Sequence, residues 1–166
     1  MPLSRSERET LMRRYEEGPG RLRAAWENVP PEARKWRPGA GRWSAHEVVC
    51  HAADSETNAA IRIRFLAAEP KPLIVGYDQE SWARVFDYHA LPAEPAMAAV
   101  EAVRANTAAL LRRLPETTWE KQGTHTESGA YNGDDWLATY ADHLEKHSRQ
   151  IERNLEAWKA RPTTGS

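Results

Sequence analysis

His143 and His147 stand four residues apart in a segment with strong helical periodicity, so both imidazoles leave one helix face about a turn apart. Two neutral imidazoles at that spacing are a natural pair of ligands for one divalent metal. At roughly 100° per residue, Tyr140, Leu144, Ile151, Leu155 and Trp158 form the apolar stripe of this helix, and both histidines fall on its edge with Thr139, Gln150 and Asn154. An earlier helix repeats the arrangement. Val48, Ala52, Ala59, Ile63 and Leu66 make its stripe, and His51, Ser55, Asn58 and Arg62 line one flank.

Burying two polar strips is costly unless they bind each other, water or a ligand, and metal sites in helix bundles are built from facing helices. The expectation is a polar pocket at one side of the core. The competing reading is two solvated flanks and a histidine pair set by composition, and no spacing rule ties His51 to the other two. The remaining reactive types read as structural. Glu47, three residues after Ser44, is expected as a capping-box acid rather than a general base. Cys50 is expected as a small buried residue rather than a catalytic thiol, and His46 as a surface residue. His89 and His125 sit in connections, and neither is expected as a fourth ligand.

Four helices must position these groups, with Pro and Gly falling almost entirely between them. The first runs from about Ser4 to Asn28, and a kink or a break is expected at Gly18-Pro19-Gly20 because Pro19 lacks a backbone donor. The second begins at the Ser44–Glu47 capping box, with Trp43 stapled onto Val48, and reaches about Glu69. The third covers Pro95 to Leu114, and the fourth Asp134 to about Lys159, capped by Asp134 or Asp135. The long connection over residues 70–93, with a short helix through Glu80 to Tyr88, permits a crossover. No strand-like alternation is visible. The fold class is therefore all-α, a four-helix bundle in one domain over residues 1–160, with a frayed tail over 161–166.

Composition narrows the function classes. The 166 residues carry 23 Lys+Arg against 24 Asp+Glu, a net charge of −1 without a dense basic patch, which argues against nucleic acid and anionic membrane as partners. No apolar run reaches the length of about 18 residues that a spanning helix needs. One cysteine and an N-terminal segment without a signal-like apolar run lead to a cytoplasmic expectation.

Two strings carry a resemblance: Trp43-Ser44-Ala45-His46-Glu47-Val48-Val49-Cys50-His51, with Asp54 after it, and His143-Leu144-Glu145-Lys146-His147-Ser148-Arg149-Gln150-Ile151. With the Arg37-Pro38 lead and the Tyr77-Asp78-Gln79-Glu80-Ser81-Trp82 segment, the chain resembles the DinB/YfiT-like superfamily over nearly its whole length. The resemblance implies an up-down-down-up bundle, often a homodimer, with a divalent metal held by His51, His143 and His147. Zinc or nickel suits imidazole, with iron or manganese as further possibilities.

It also implies a small-molecule substrate and a transferase that uses a low-molecular-weight thiol as cosubstrate. The alternatives are a metal-dependent hydrolase, and a non-catalytic bundle that binds metal or a small molecule in a stress response. Arg62 is expected to hold an anionic substrate group, against the alternative of a charged end reaching solvent. Gln150, Asn154 and Asn58 are expected beside the substrate or behind the ligands.

Overall fold

Each of the helices that frame the core is started by local chemistry that the sequence makes visible. In the computed structural model, which describes residues 2–162, α1 (Arg5–Glu27) opens on a Ser4–Glu7 capping box and α2 (Ala45–Ala68) on the Ser44–Glu47 box. The third long helix, α4 (Ala93–Leu111), follows Pro92, and α6 (Gly133–Ala160) opens on a third box formed by Asn132 and Asp135. A side-chain cap of this kind contributes about 1 kcal/mol by satisfying amides that the helix leaves unpaired. The cap of α6 is thus Asn132. The expected alternative, Asp134, is instead drawn inward to Arg8 and the Leu3 amide. Residues 163–166 of the expected tail lie outside the described residues.

Pairwise contacts fix the directions of the helices. Arg8 meets Asp134 and Arg14 meets Asp142 and Glu145, so α1 and α6 run parallel. Ala59 meets Trp136 and Asn154 meets Trp43, so α2 runs against α6. His46 meets Leu91, Glu56 meets Arg104 and Arg64 meets Asn106, so α2 and α4 run parallel. Arg23 meets Glu101 and Arg112 meets Glu16, so α4 runs against α1. The result is the up-down-down-up bundle, with α1 diagonal to α2.

Parallel α2 and α4 require a crossover, which carries β1 (Leu73–Ile74) and α3 (Gln79–Val85). The connection from α4 to α6 carries α5 (Thr117–Glu120), β2 (Gly123–His125) and β3 (Gly129–Tyr131). The two connections knit together in a small sheet, β1 parallel to β2 and β2 antiparallel to β3. These strands correct the strand-free expectation. At two or three residues each they are too short for a period of two to register.

The core is apolar at both ends and ionic in the middle. Leu22, Trp26, Val48, Val49, Met97 and Val100 pack in one cluster, and Tyr15, Ile63, Leu66, Trp136 and Leu137 in another. Between them Arg104, 1% exposed, grips Glu56, 0% exposed. Gly18 lies against this layer, and a Cβ there would come within 3.2 Å of Leu144 and 3.3 Å of the Arg104 guanidinium.

This arrangement also explains why α1 passes through Pro19 without the break that was one of the two expected outcomes. Without an N–H, Pro19 leaves the Tyr15 carbonyl without its usual helical partner, and Arg104 Nη1 donates to that oxygen at 2.7 Å. One further expectation is revised. His46 is buried rather than at the surface, with Nε2 2.8 Å from the Leu91 carbonyl oxygen. Arg104 occupies the buried stripe of α4.

Because the Tyr15 carbonyl is already served, Pro19→Ala should raise the unfolding free energy by less than about 1 kcal/mol. Relief of a proline in an ordinary helix interior is worth about 3 kcal/mol. Urea denaturation measures the difference, and a gain near the larger figure would show that Arg104 does not compensate.

Candidate metal centre

The two polar strips do face each other. His51 from α2 and His143 and His147 from α6 each offer a ligand atom within 4.8 Å of the others. His51 is buried, and the other two are partly open to solvent. The ring centroids of His51 lie 4.9 Å from His147 and 5.7 Å from His143.

Hydrogen bonds behind the rings orient two of them. His143 Nδ1 lies 2.9 Å from Glu56 Oε1, and an ionised carboxylate can only accept, so the proton resides on Nδ1. Burial pushes the Glu56 carboxyl up, but Arg104 and His143 outweigh it and hold the acid below its ordinary value. His147 Nδ1 lies 2.9 Å from Gln150 Oε1, which selects the same tautomer.

Both Nε2 atoms therefore present lone pairs, and they approach to 3.2 Å. A proton shared between them would require an imidazolium. Burial first, then His143, push His147 down to about 4, and burial first, then its two neighbours, push His51 down to about 2. Two facing lone pairs repel unless a cation lies between them. In a tetrahedral zinc site with bonds of about 2.05 Å, nitrogen ligands sit about 3.3 Å apart, close to the separation here. His51 Nδ1 is itself buried without a hydrogen-bond partner. The donor set, the tautomers and this orphaned nitrogen all fit a divalent metal.

The surrounding residues divide clearly. Gln150 lies behind His147. Asn154 acts one step further out: its Nδ2 donates to the Trp43 carbonyl at 2.8 Å, and the Trp43 ring lies 4.7 Å from that of His51. Arg62 reaches the Tyr140 hydroxyl at 2.8 Å and the Val75 carbonyl at 2.7 Å, with its guanidinium near the Tyr77 ring. Asn58 does not join this group in the contacts it makes, since its Nδ2 bonds the Asp54 carbonyl one turn back.

Ser55 adds a hydroxyl 3.3 Å from His143 Nε2. Glu47 caps α2 and pairs with Arg37, as its structural reading requires. Cys50 is buried, and desolvation raises its thiol to about 11, far from a reactive thiolate. His89 bonds Ser44 and His125 accepts from the Glu127 amide, so neither approaches the three-histidine cluster.

Glu56 and Tyr140 were not singled out in the sequence as site residues. The signal for Glu56 is its place among Ala52, Ala59 and Ile63, an acid in an apolar stripe. Tyr140 was read only as a stripe residue, although its hydroxyl meets Arg62.

Known proteins resemble the chain in sequence and in fold. A relative from Oceanobacillus iheyensis, provisionally named a metal-dependent hydrolase, is 36% identical over 111 residues, 67% of this chain. That alignment spans 64% of the relative, just under two thirds of its length. In fold the chain is similar to YfiT from Bacillus subtilis, at a TM-score of 0.87 and 23% identity over 95% of this chain and 90% of that one. A mutant of a mycothiol-dependent maleylpyruvate isomerase matches at a TM-score of 0.70 and 13% identity, over 90% of this chain and 61% of that one. The sequence profile of the DinB superfamily matches residues 14–151, and this chain belongs to that family.

Proposed function

We propose that the chain is a metal-dependent hydrolase of small anionic substrates, with one divalent ion, zinc or nickel, held by His51, His143 and His147. The observation that carries this reading is the pair of Nε2 atoms 3.2 Å apart, each made a lone-pair donor by the bond behind its ring. When bound, such an ion supplies Lewis-acid chemistry at the position that three protein ligands leave open. The name of the Oceanobacillus relative supports the hydrolytic class.

The chain's own residues would do the rest. Gln150 and Glu56 keep the two rings of α6 in one tautomer, and Trp43, tied down by Asn154, covers His51. Arg62 forms no ion pair among the described residues, and its two neutral acceptors leave its charge for a substrate carboxylate or phosphate. The thiol-dependent transferase is the second reading, supported by the fold likeness to the mycothiol-dependent isomerase. A homodimer remains part of the proposal.

Elemental analysis of protein purified without an affinity-metal step is expected to find near-stoichiometric metal, lost in each of His51→Ala, His143→Ala and His147→Ala. A parent chain without metal that takes up no zinc, nickel or iron would overturn the reading. Turnover of a panel of anionic esters and amides without added thiol separates hydrolase from transferase, since the transferase demands the thiol. On the substrate so found, Arg62→Met is expected to raise KM about 10-fold or more, with metal content unchanged, as for loss of a charged hydrogen bond worth about 1.5–3 kcal/mol.

The neutral imidazoles also set a pH dependence. His51 and His147 have native values of about 2 and about 4 against an ordinary 6.5, so the unfolded chain binds protons that the native one refuses. Their contribution to stability is complete above about pH 6.5 and is lost as pH falls from there through 4 toward 2. The urea midpoint of the metal-free chain should therefore drop between pH 7 and pH 4, and a flat midpoint would contradict the assignment of neutral, buried rings.

A further inference from the structure

A helix bundle gains little stability from a fully buried ion pair. Replacing one with well-packed apolar residues is often neutral or stabilising, so the Glu56–Arg104 pair calls for a role beyond stability. Its geometry shows how tightly it is oriented. Arg104 Nε and Nη2 meet the two Glu56 oxygens at 2.5 and 2.8 Å, Nη1 reaches the Tyr15 carbonyl at 2.7 Å, and Nη2 also reaches the Tyr140 carbonyl at 2.7 Å. The guanidinium carbon lies 3.8 Å from the centre of the Tyr15 ring.

Arg104 is thus held from three helices, and the Glu56 it grips has one oxygen turned to His143 Nδ1 at 2.9 Å. Arg104 therefore grips His143 twice, through its ring by way of Glu56 and through its backbone by way of Tyr140, three residues earlier on α6. The seat on α1 exists because Pro19 leaves the Tyr15 carbonyl without a helical donor and Gly18 leaves room for the guanidinium.

We propose that Arg104 and Glu56 are positioning residues of the metal centre, the guanidinium fixing Glu56 and Glu56 fixing His143 with its Nε2 turned toward His147. Pro19 belongs to the same device, since it supplies the open carbonyl. The inference rests on the three-histidine reading, and its test distinguishes the failure of either.

The test is cobalt(II) affinity by competition titration, with the cobalt ligand-field spectrum as a second readout. Two variants are compared with the parent. The triple variant Pro19→Ala/Glu56→Leu/Arg104→Met replaces the ion pair with apolar side chains and returns a helical donor to the Tyr15 carbonyl, so a merely structural pair would be replaced without effect on the metal. Glu56→Asp keeps the charge beside Arg104 but withdraws the acceptor from His143 by one methylene.

Both are expected to fold by circular dichroism and to bind cobalt about 10–100-fold more weakly, the usual cost of losing the partner behind a metal-ligating histidine. Their spectra are expected to be altered. Parental affinity and spectrum in whichever variant folds would overturn the positioning role alone. A parent chain that binds no cobalt would overturn the three-histidine reading and this inference with it.

Discussion

A guanidinium placed where water cannot reach must find its partners within the protein, and Arg104 finds them on three helices at once. That requirement organises the bundle. It sets α4 against α2 at Glu56, α1 at the carbonyl that Pro19 frees, and α6 at Tyr140. The apolar clusters on either side can slide or rotate with modest loss, because hydrophobic contact is not directional. A fork of hydrogen bonds to fixed carbonyl and carboxylate oxygens cannot. Leaving one such charge without partners in the core costs about 3–5 kcal/mol, so the ionic layer fixes register where the apolar layers supply bulk stabilisation.

The site stands at the edge of this layer, where α2 and α6 run antiparallel and their polar flanks meet. On its inner wall Glu56, Gln150 and the Trp43 ring all have defined partners, the indole N–H donating to Glu80. Its outer wall is built from Arg62, Tyr77 and Tyr140, with Arg62 bonded to Val75 beside the small sheet. Helices thus carry the three histidines, and the connections, tied together by pairing β1 with β2, border the cluster beside Arg62.

The histidine pair of α6 was the most legible part of the cluster in the sequence. The i, i+4 pair at the edge of an apolar stripe is a local pattern, and local patterns survive folding; His51 joined it only through the family resemblance. Gln150 was legible for the same reason, three residues from His147 on one helix. The partners that orient the centre were less so. Glu56 and Arg104 look like surface charges until each is seen to occupy an apolar position of its helix, and only the paired helices reveal that the two meet.

Pro19 misled for a related reason. A proline breaks a helix when the freed carbonyl has no donor, and here the donor comes from a helix more than eighty residues away. Asn58 and Asp134 show the limit of periodicity from the other side. Asn58, placed by angle, bonds the carbonyl one turn back, and Asp134, expected as a cap, pairs with Arg8 on another helix.

The interleaved topology has a consequence for biosynthesis. Glu56 and His143 are 87 residues apart in the chain, and two of the three histidines sit on α6. During translation α1, α2 and α4 emerge with His51 as the one ligand available. The ionic layer lacks its α6 contact until that helix follows. Closing so long a loop must be repaid by contacts that arrive together. On the proposed three-histidine reading, the nascent chain would have no high-affinity chelate to offer, and the ion would enter late, after α6 has joined the bundle.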